Sequence, residues 1–367
     1  MPKPKVMLAI TKMTGGGAER VVSVWASELA EMGFEVYLLL AGRTDNEYPI
    51  SDAVHVLTVA PRYVDYQKLS GNEKYSLRRK LIKNTRPDYI ISFLSQNRIW
   101  TLLCAWGTHA KRIETMRISP WQASGQNGLI GILTKLSFKK CYRLILQSKD
   151  QAPYFSDQLR KKAVVVPNPI SEIYQTHFKR EFPDNVQTII AAGRLSEQKN
   201  YILMVDAYAL VSEKLTDSIL PVLKIFGAEE SPGYKEKLRK YIKEKGLEDK
   251  ILLMGRSSHI EEEYSNADIF LMSSNFEGMP NALAEAMASR LVCISTDCKT
   301  GPRDLICSGE NGFLVPTNDC QAMANAIICA IKMSKEERIE FGDRARQHIM
   351  TYCSKENSVA KLIAILK

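Results

Sequence analysis

Two cations five residues apart, Arg194 and Lys199, stand in the run Ala191-Ala192-Gly193-Arg194-Leu195-Ser196-Glu197-Gln198-Lys199-Asn200. A guanidinium forks onto two phosphate oxygens, and an ammonium adds a compact charge. Beside a diphosphate, the pair would stabilise charge that develops as it leaves. Further along come two carboxylates, Glu277 and Glu285, in Asn275-Phe276-Glu277-Gly278-Met279-Pro280-Asn281-Ala282-Leu283-Ala284-Glu285-Ala286-Met287. Pro280 suits the first turn of a helix, where its missing N–H is not needed. Glu277 then lies in the loop before that helix and Glu285 inside it. The free N–H groups from Gly278 to Ala282 face the same space. A third run, Thr14-Gly15-Gly16-Gly17-Ala18-Glu19-Arg20, places glycines at a helix start, where backbone N–H groups approach a phosphate or sugar closely. Its spacing is neither GxGxxG nor a P-loop, which argues against dinucleotide and ATP sites. The fourth, Thr300-Gly301-Pro302-Arg303-Asp304-Leu305, reads as a plain loop with Arg303 in solvent. Taken alone, the others also have plainer readings: a tight strand-to-helix turn, an exposed basic loop, an acidic residue satisfying a helix dipole.

These runs need strands to carry them. Short β-branched stretches alternate with stretches of helical period, a pattern of βα units and parallel sheets. Strands are expected at Val6–Ile10, Glu35–Ala41, Val54–Val59, Tyr89–Phe93, Ile113–Met116, Arg143–Gln147 and Val164–Val166. The pattern restarts at Thr188–Ala192 and continues through Val222–Phe226, Ile251–Met254, Ile269–Met272 and Val292–Ser295. Pro167-Asn168-Pro169 makes a stiff connector near the boundary. The expected architecture is α/β: two doubly wound domains, 1–170 and 171–344, facing a central cleft. Ligands bind beyond the carboxyl ends of such strands, and each motif above follows a strand.

The chain has 367 residues and a net charge of +9. The excess lies in residues 1–180, with 27 Lys and Arg against 14 Asp and Glu. A solvated basic surface, an anionic membrane and a phosphate-bearing acceptor all account for that excess. No RNP-like aromatic pattern, zinc finger or helix-turn-helix signal points to nucleic acid. The eight cysteines show no CxxC spacing, so free thiols in a reducing compartment are expected. No apolar run nears the ~18 residues of a membrane span, and Val6–Ile10 reads as a strand, not a signal peptide. A cytoplasmic protein is expected, peripheral on the inner face of the membrane.

In this order, Gly16-Gly17-Ala18-Glu19-Arg20, Gly193-Arg194 with Lys199-Asn200, and Glu277-x7-Glu285 resemble the retaining GT4-type glycosyltransferases of the GT-B fold. The resemblance runs from residue 15 to about 316. The turn Gly301-Pro302-Arg303 with Glu310-Asn311-Gly312-Phe313-Leu314-Val315-Pro316 is similar to a subgroup that builds bacterial surface and lipid-linked glycans from UDP-sugars. The resemblance implies that Arg194 and Lys199 bind the donor diphosphate. It implies that Glu277 contacts the donor sugar and that Glu285 holds the ribose hydroxyls. Backbone groups of Gly278, Met279, Pro280, Asn281 and Ala282 would line the pocket, with the Asn281 side chain available to it. The base would sit against Gly255-Arg256, and Gly193, Gly16 and Gly17 would complete the donor site. The last helix, 345–367, would pack on the N-terminal domain. Two departures stand out. Gly227-Ala228-Glu229-Glu230 replaces the usual Gly-x-Gly, and Met116 stands where relatives carry a carboxylate, with Arg117 matching their basic, acceptor-side position.

The implied reaction is a metal-independent, retaining hexosyl transfer by front-face attack, with UDP-sugar as a substrate and no cofactor. No carboxylate pair is spaced like a DxD metal site. Two segments, 74–83 and 129–140, mix cations with apolar residues as helices at an anionic membrane do. They point to a polyprenyl-diphosphate-linked saccharide acceptor, or are ordinary helices packed on the sheet. Two rivals stand beside this reading. One is a sugar epimerase, for which the five histidines form no acid/base set. The other is a non-catalytic sugar-binding subunit of a glycosylation complex.

Overall fold

The computed structural model describes residues 3–117, 120, 128–176, 181–215 and 220–367. In the first half the apolar runs form β1 (Lys5–Ala9), β2 (Glu35–Leu40), β3 (His55–Thr58), β4 (Tyr89–Ser92), β5 (Lys111–Thr115), β6 (Arg143–Leu146) and β7 (Ala163–Val165). They pair in parallel in the order β3-β2-β1-β4-β5-β6-β7. The order reverses between β1 and β4, and ligands of open α/β sheets bind at such reversals.

The second half forms β8 (Thr188–Ala192), β9 (Val222–Phe226), β10 (Ile251–Gly255), β11 (Ile269–Met272), β12 (Val292–Thr296) and β13 (Phe313–Val315). This sheet is also parallel, in the order β10-β9-β8-β11-β12-β13, with its reversal between β8 and β11. Both halves are thus doubly wound α/β sheets, as the alternation of patterns predicts. β13 was not anticipated as a strand. At three residues on a sheet edge it is too short to show a period.

Strand alternation sorts the cores. Val6, Leu8 and Ile10 pack with α1 (Gly17–Glu31), while Met7 and Ala9 point to the other face. That second face is covered by α2 (Tyr63–Lys68), α3 (Gly71–Thr85) and α4 (Leu94–Cys104), through Tyr66, Ile82 and Cys104. Ser70 and Glu73 form a reciprocal capping box at the start of α3.

The chain divides into unit 1, residues 1–169 with 355–367, and unit 2, residues 170–354. The expected return of 345–367 to the first domain therefore begins later. Ala345 and Ile349, on helix Lys335–Tyr352, are buried in the core of unit 2. Only helix Lys355–Ile365 belongs to unit 1. There Val359, Leu362 and Ile365 join the core of α1 and β1. Ser358 accepts from Trp25 Nε1 (3.0 Å) and donates to Pro167 O (2.8 Å). Leu362 is fully buried, so Leu362→Ala should cost unit 1 about 2–5 kcal/mol. Urea unfolding followed by Trp25 fluorescence should show an earlier transition, and an unchanged midpoint would mean that this helix does not support the fold.

Candidate functional site

In unit 2, the loops after β8, β9 and β10 are zipped together by backbone groups. Gly193 N–H donates to Phe226 O (2.9 Å), and Gly227 N–H donates to Gly255 O (2.7 Å). Gly227 lies against the Gly193 peptide so closely that a Cβ there would sit 2.8 Å from the Gly193 carbonyl carbon. The departure from Gly-x-Gly thus keeps the glycine that this packing needs. The residues after it fold back along the cation loop: Leu195 N–H donates to Ala228 O (2.8 Å) and Glu230 N–H to Leu195 O (3.2 Å). Glu230 ends as the ion-pair partner of Arg194, with both side chains largely in solvent. Sequence gives no sign of that pair, since 36 residues separate its members.

The loop that holds Lys199 is laced to the loop after β11. Asn275 N–H donates to Gln198 O (2.8 Å), Gln198 Nε2 to Phe276 O (2.9 Å) and Ser273 Oγ to Lys199 O (2.8 Å). These ties bring Lys199 Nζ to 2.6 Å from Glu277 Oε1, with both side chains mostly buried. The cation motif and the first carboxylate motif, 78 residues apart, therefore form one charged centre. Ties such as Gln198 and Ser273 carry no sequence signal, because their partners are backbone oxygens.

A turn after β12 walls the same loop. Thr300 Oγ1 donates to Glu277 O. Gly301 has φ +99°, a region that favours glycine, and a Cβ there would lie 2.7 Å from both Gly278 O and Pro280 Cδ. Arg303 is exposed, as the sequence suggested, and in addition pairs with Asp297 through two hydrogen bonds (2.6 and 2.5 Å). Burial pushes the Cys298 thiol up to about 12, with the Glu277 charge adding to it, so this cysteine stays a thiol.

Helix Asn281–Ala288 starts one residue later than expected, with Pro280 as its N-cap instead of in its first turn. Gly278, Met279, Asn281 and Ala282 flank that start, so the positive end of the helix dipole lies close to Glu277 in the chain. Glu285 lies one turn inside, half-buried. The Tyr264 hydroxyl is held well above its usual range by burial first and then by the Glu285 charge. Arg256 is exposed just after Gly255, at the end of β10.

Gly16, Gly17 and Arg117 belong to unit 1. Gly16 caps α1 and Gly17 begins it. The Glu19 carboxyl folds back over this end; a Cβ on Gly16 would be 3.0 Å from Glu19 Cδ. Burial raises the Glu19 pKa, against the pull of its own N–H and of Lys12. The place for an anion at this helix start is thus filled by the chain's own side chain. Arg117 stacks on Trp25 (4.7 Å) and Phe93 (5.0 Å) and donates to Asn168 Oδ1 (2.6 Å). Among the described residues, no cluster of three or more His, Cys, Asp or Glu could hold a metal ion, and no helix is long and apolar enough to cross a membrane.

Comparison with known proteins matches both halves. The family described as Glycosyltransferase Family 4 matches residues 15–172, and that described as Glycosyl transferases group 1 matches residues 173–348. The chain is 28% identical to the N-acetylgalactosamine-N,N'-diacetylbacillosaminyl-diphospho-undecaprenol 4-alpha-N-acetylgalactosaminyltransferase of Campylobacter jejuni, over 87% of this chain and 88% of that protein. It is 27% identical to an uncharacterized glycosyltransferase of Methanocaldococcus jannaschii, over 63% of this chain and 61% of that one. Among solved structures, Anabaena HepE in complex with UDP and glucose superposes with a TM-score of 0.77 at 16% identity, covering 99% of each chain.

Proposed function

The chain belongs to the GT4-type glycosyltransferases, and from that premise we propose that it moves a hexose or N-acetylhexosamine from a UDP-sugar to a lipid-linked saccharide, with retention, during synthesis of a bacterial surface glycan. The observation that carries the proposal is the mostly buried Lys199–Glu277 pair beside the start of helix Asn281–Ala288. Arg194 and Lys199 take the donor diphosphate, exchanging their present carboxylate partners for phosphate oxygens. Glu277, released from Lys199, turns to the hydroxyls of the donor sugar. Glu285 holds the ribose, and the base rests against Gly255-Arg256.

Retention follows from attack on the same face. The acceptor oxygen bonds to the anomeric carbon as the bond to the leaving phosphate breaks, and a phosphate oxygen takes the acceptor proton. The protein then supplies position and charge stabilisation. Two cations and the dipole of a helix start provide that field without a metal ion.

The lipid-linked acceptor is supported by the name of the Campylobacter relative, which acts on a diphospho-undecaprenol-linked saccharide. A surface of unit 1 supports membrane contact. Trp106, Leu129 and Ile132 are 61%, 71% and 63% exposed, and Lys140 lies over the Trp106 ring (4.2 Å). Apolar tips rimmed by lysines suit the boundary of an anionic leaflet.

Thermal shift and donor hydrolysis, measured in EDTA with UDP-, GDP- and ADP-sugars, test the core of this reading. Stabilisation by one UDP-sugar with slow release of UDP is expected. No stabilisation by any nucleotide sugar would overturn it. Vesicles test the membrane part: binding to phosphatidylglycerol and not to phosphatidylcholine is expected, and should be weakened by Ile132→Glu.

A further inference from the structure

Residues that follow β1 and β4, together with Arg117 and Ile130, line a cavity of about 520 Å³ at the reversal point of the sheet in unit 1. Thr11, Ser95, Gln96, Arg98, Arg117 and Ile130 are on its wall. Ser95 and Gln96 stand in the first turn of α4, an 11-residue helix whose first N–H groups have no partners within the helix. Arg98 is only 3% exposed, and its Nη1 meets no hydrogen-bond acceptor among the described residues. Nε and Nη2 of Arg117 are buried in the same condition.

The charges around this cavity do not balance. Arg98 and Arg112 share one carboxylate, Glu114, at 3.7 and 2.9 Å. Arg117 has the Asn168 amide where a carboxylate would neutralise it. Of these three, Arg98 and Arg117 are on the cavity wall, and among the described residues their ion pairs include one carboxylate, Glu114, which Arg98 shares with Arg112. Burial also lifts the Glu114 carboxyl to about 7, against the pull of Arg98 and Arg112, so its compensation is weak near neutral pH. Buried cations with idle N–H donors are costly to maintain unless something pairs with them. An anion with several acceptor oxygens would satisfy the idle donors of Arg98 and Arg117.

We propose that this cavity is a phosphate site, in which Arg98, Arg117 and the first turn of α4 hold the phosphate or diphosphate of the acceptor. The proposal rests on the transferase reading only for the identity of the phosphate's carrier. Arg98 and Arg117 are acceptor-positioning residues and belong to unit 1. A phosphate fixed at a reversal point anchors the acceptor at one end, which leaves its far sugar to be presented for reaction.

Calorimetric titration of the full chain with pyrophosphate, with UDP saturating, tests this directly. One pyrophosphate per chain is expected to bind beyond UDP. Its affinity should fall at least tenfold in Arg98→Gln and in Arg117→Gln, with UDP affinity unchanged. Tighter binding of farnesyl diphosphate than of pyrophosphate would name a lipid carrier, and equal binding would name the diphosphate alone. No binding beyond UDP in the wild type would overturn the proposal, and that result does not depend on the variants folding. Unchanged affinity in both folded variants would overturn it too. Failure of UDP itself to bind, with pyrophosphate still bound and lost in Arg117→Gln, would instead sink the donor reading and leave this site standing.

Discussion

Changing Glu277 to glutamine is expected to slow sugar transfer by about 10²–10³ in kcat, with UDP affinity changed by no more than a few fold. The substitution keeps the size of the side chain and an oxygen that can still accept from Lys199 Nζ, now 2.6 Å away. It removes the charge. The protein should therefore fold and bind the nucleotide normally while losing the stabilisation that a carboxylate gives to a sugar becoming positive at its anomeric carbon. Splitting the effect between kcat and KM separates this role from a merely structural one. A kcat within about fivefold of wild type would remove Glu277 from the reacting centre. Lys199→Met should do the reverse, raising the dissociation constant of UDP, because it deletes a cation that the diphosphate needs.

The second large effect is expected from a methyl group. Gly227→Ala would push a Cβ into the Gly193 peptide, a backbone neighbour that cannot swing aside as a side chain can. The fold should survive, weakened by about 1–3 kcal/mol of overpacking. The Gly193-Arg194 segment, however, has to move, and with it the guanidinium assigned to the diphosphate. At least a tenfold loss of UDP affinity is expected in a calorimetric titration. Native affinity in a folded variant would show that the β8 and β9 loops are not part of the nucleotide site.

Much of this was legible in the residues themselves. β-Branched runs such as Thr188–Ala192, Val222–Phe226 and Ile269–Met272 form strands with the expected ends, because burial on both faces leaves an unbroken apolar signal. β5 was less legible. It starts at Lys111, two residues before the expected Ile113, since Lys111 and Arg112 read as loop until Glu114 is seen beneath them. The same blindness hid the charged cluster of unit 1: Arg98, Glu114 and Arg117 come from different elements, and no spacing rule joins them. In unit 2 the motif residues could be named from the sequence, but not their pairing. That Lys199 meets Glu277 and Arg194 meets Glu230 depends on which loops the sheet order sets side by side.

The make-up of unit 1 has a consequence for how the protein is born. Its core needs Val359, Leu362 and Ile365, which lie beyond the whole of unit 2 in the sequence. On the ribosome, unit 2 can close as soon as residue 354 has emerged, while the older part of the nascent chain still exposes the apolar face of α1. The half made first is therefore finished last. A chain stalled just short of helix Lys355–Ile365 should carry one completed half and one sticky one, making it a natural client for chaperones and an early target for proteases.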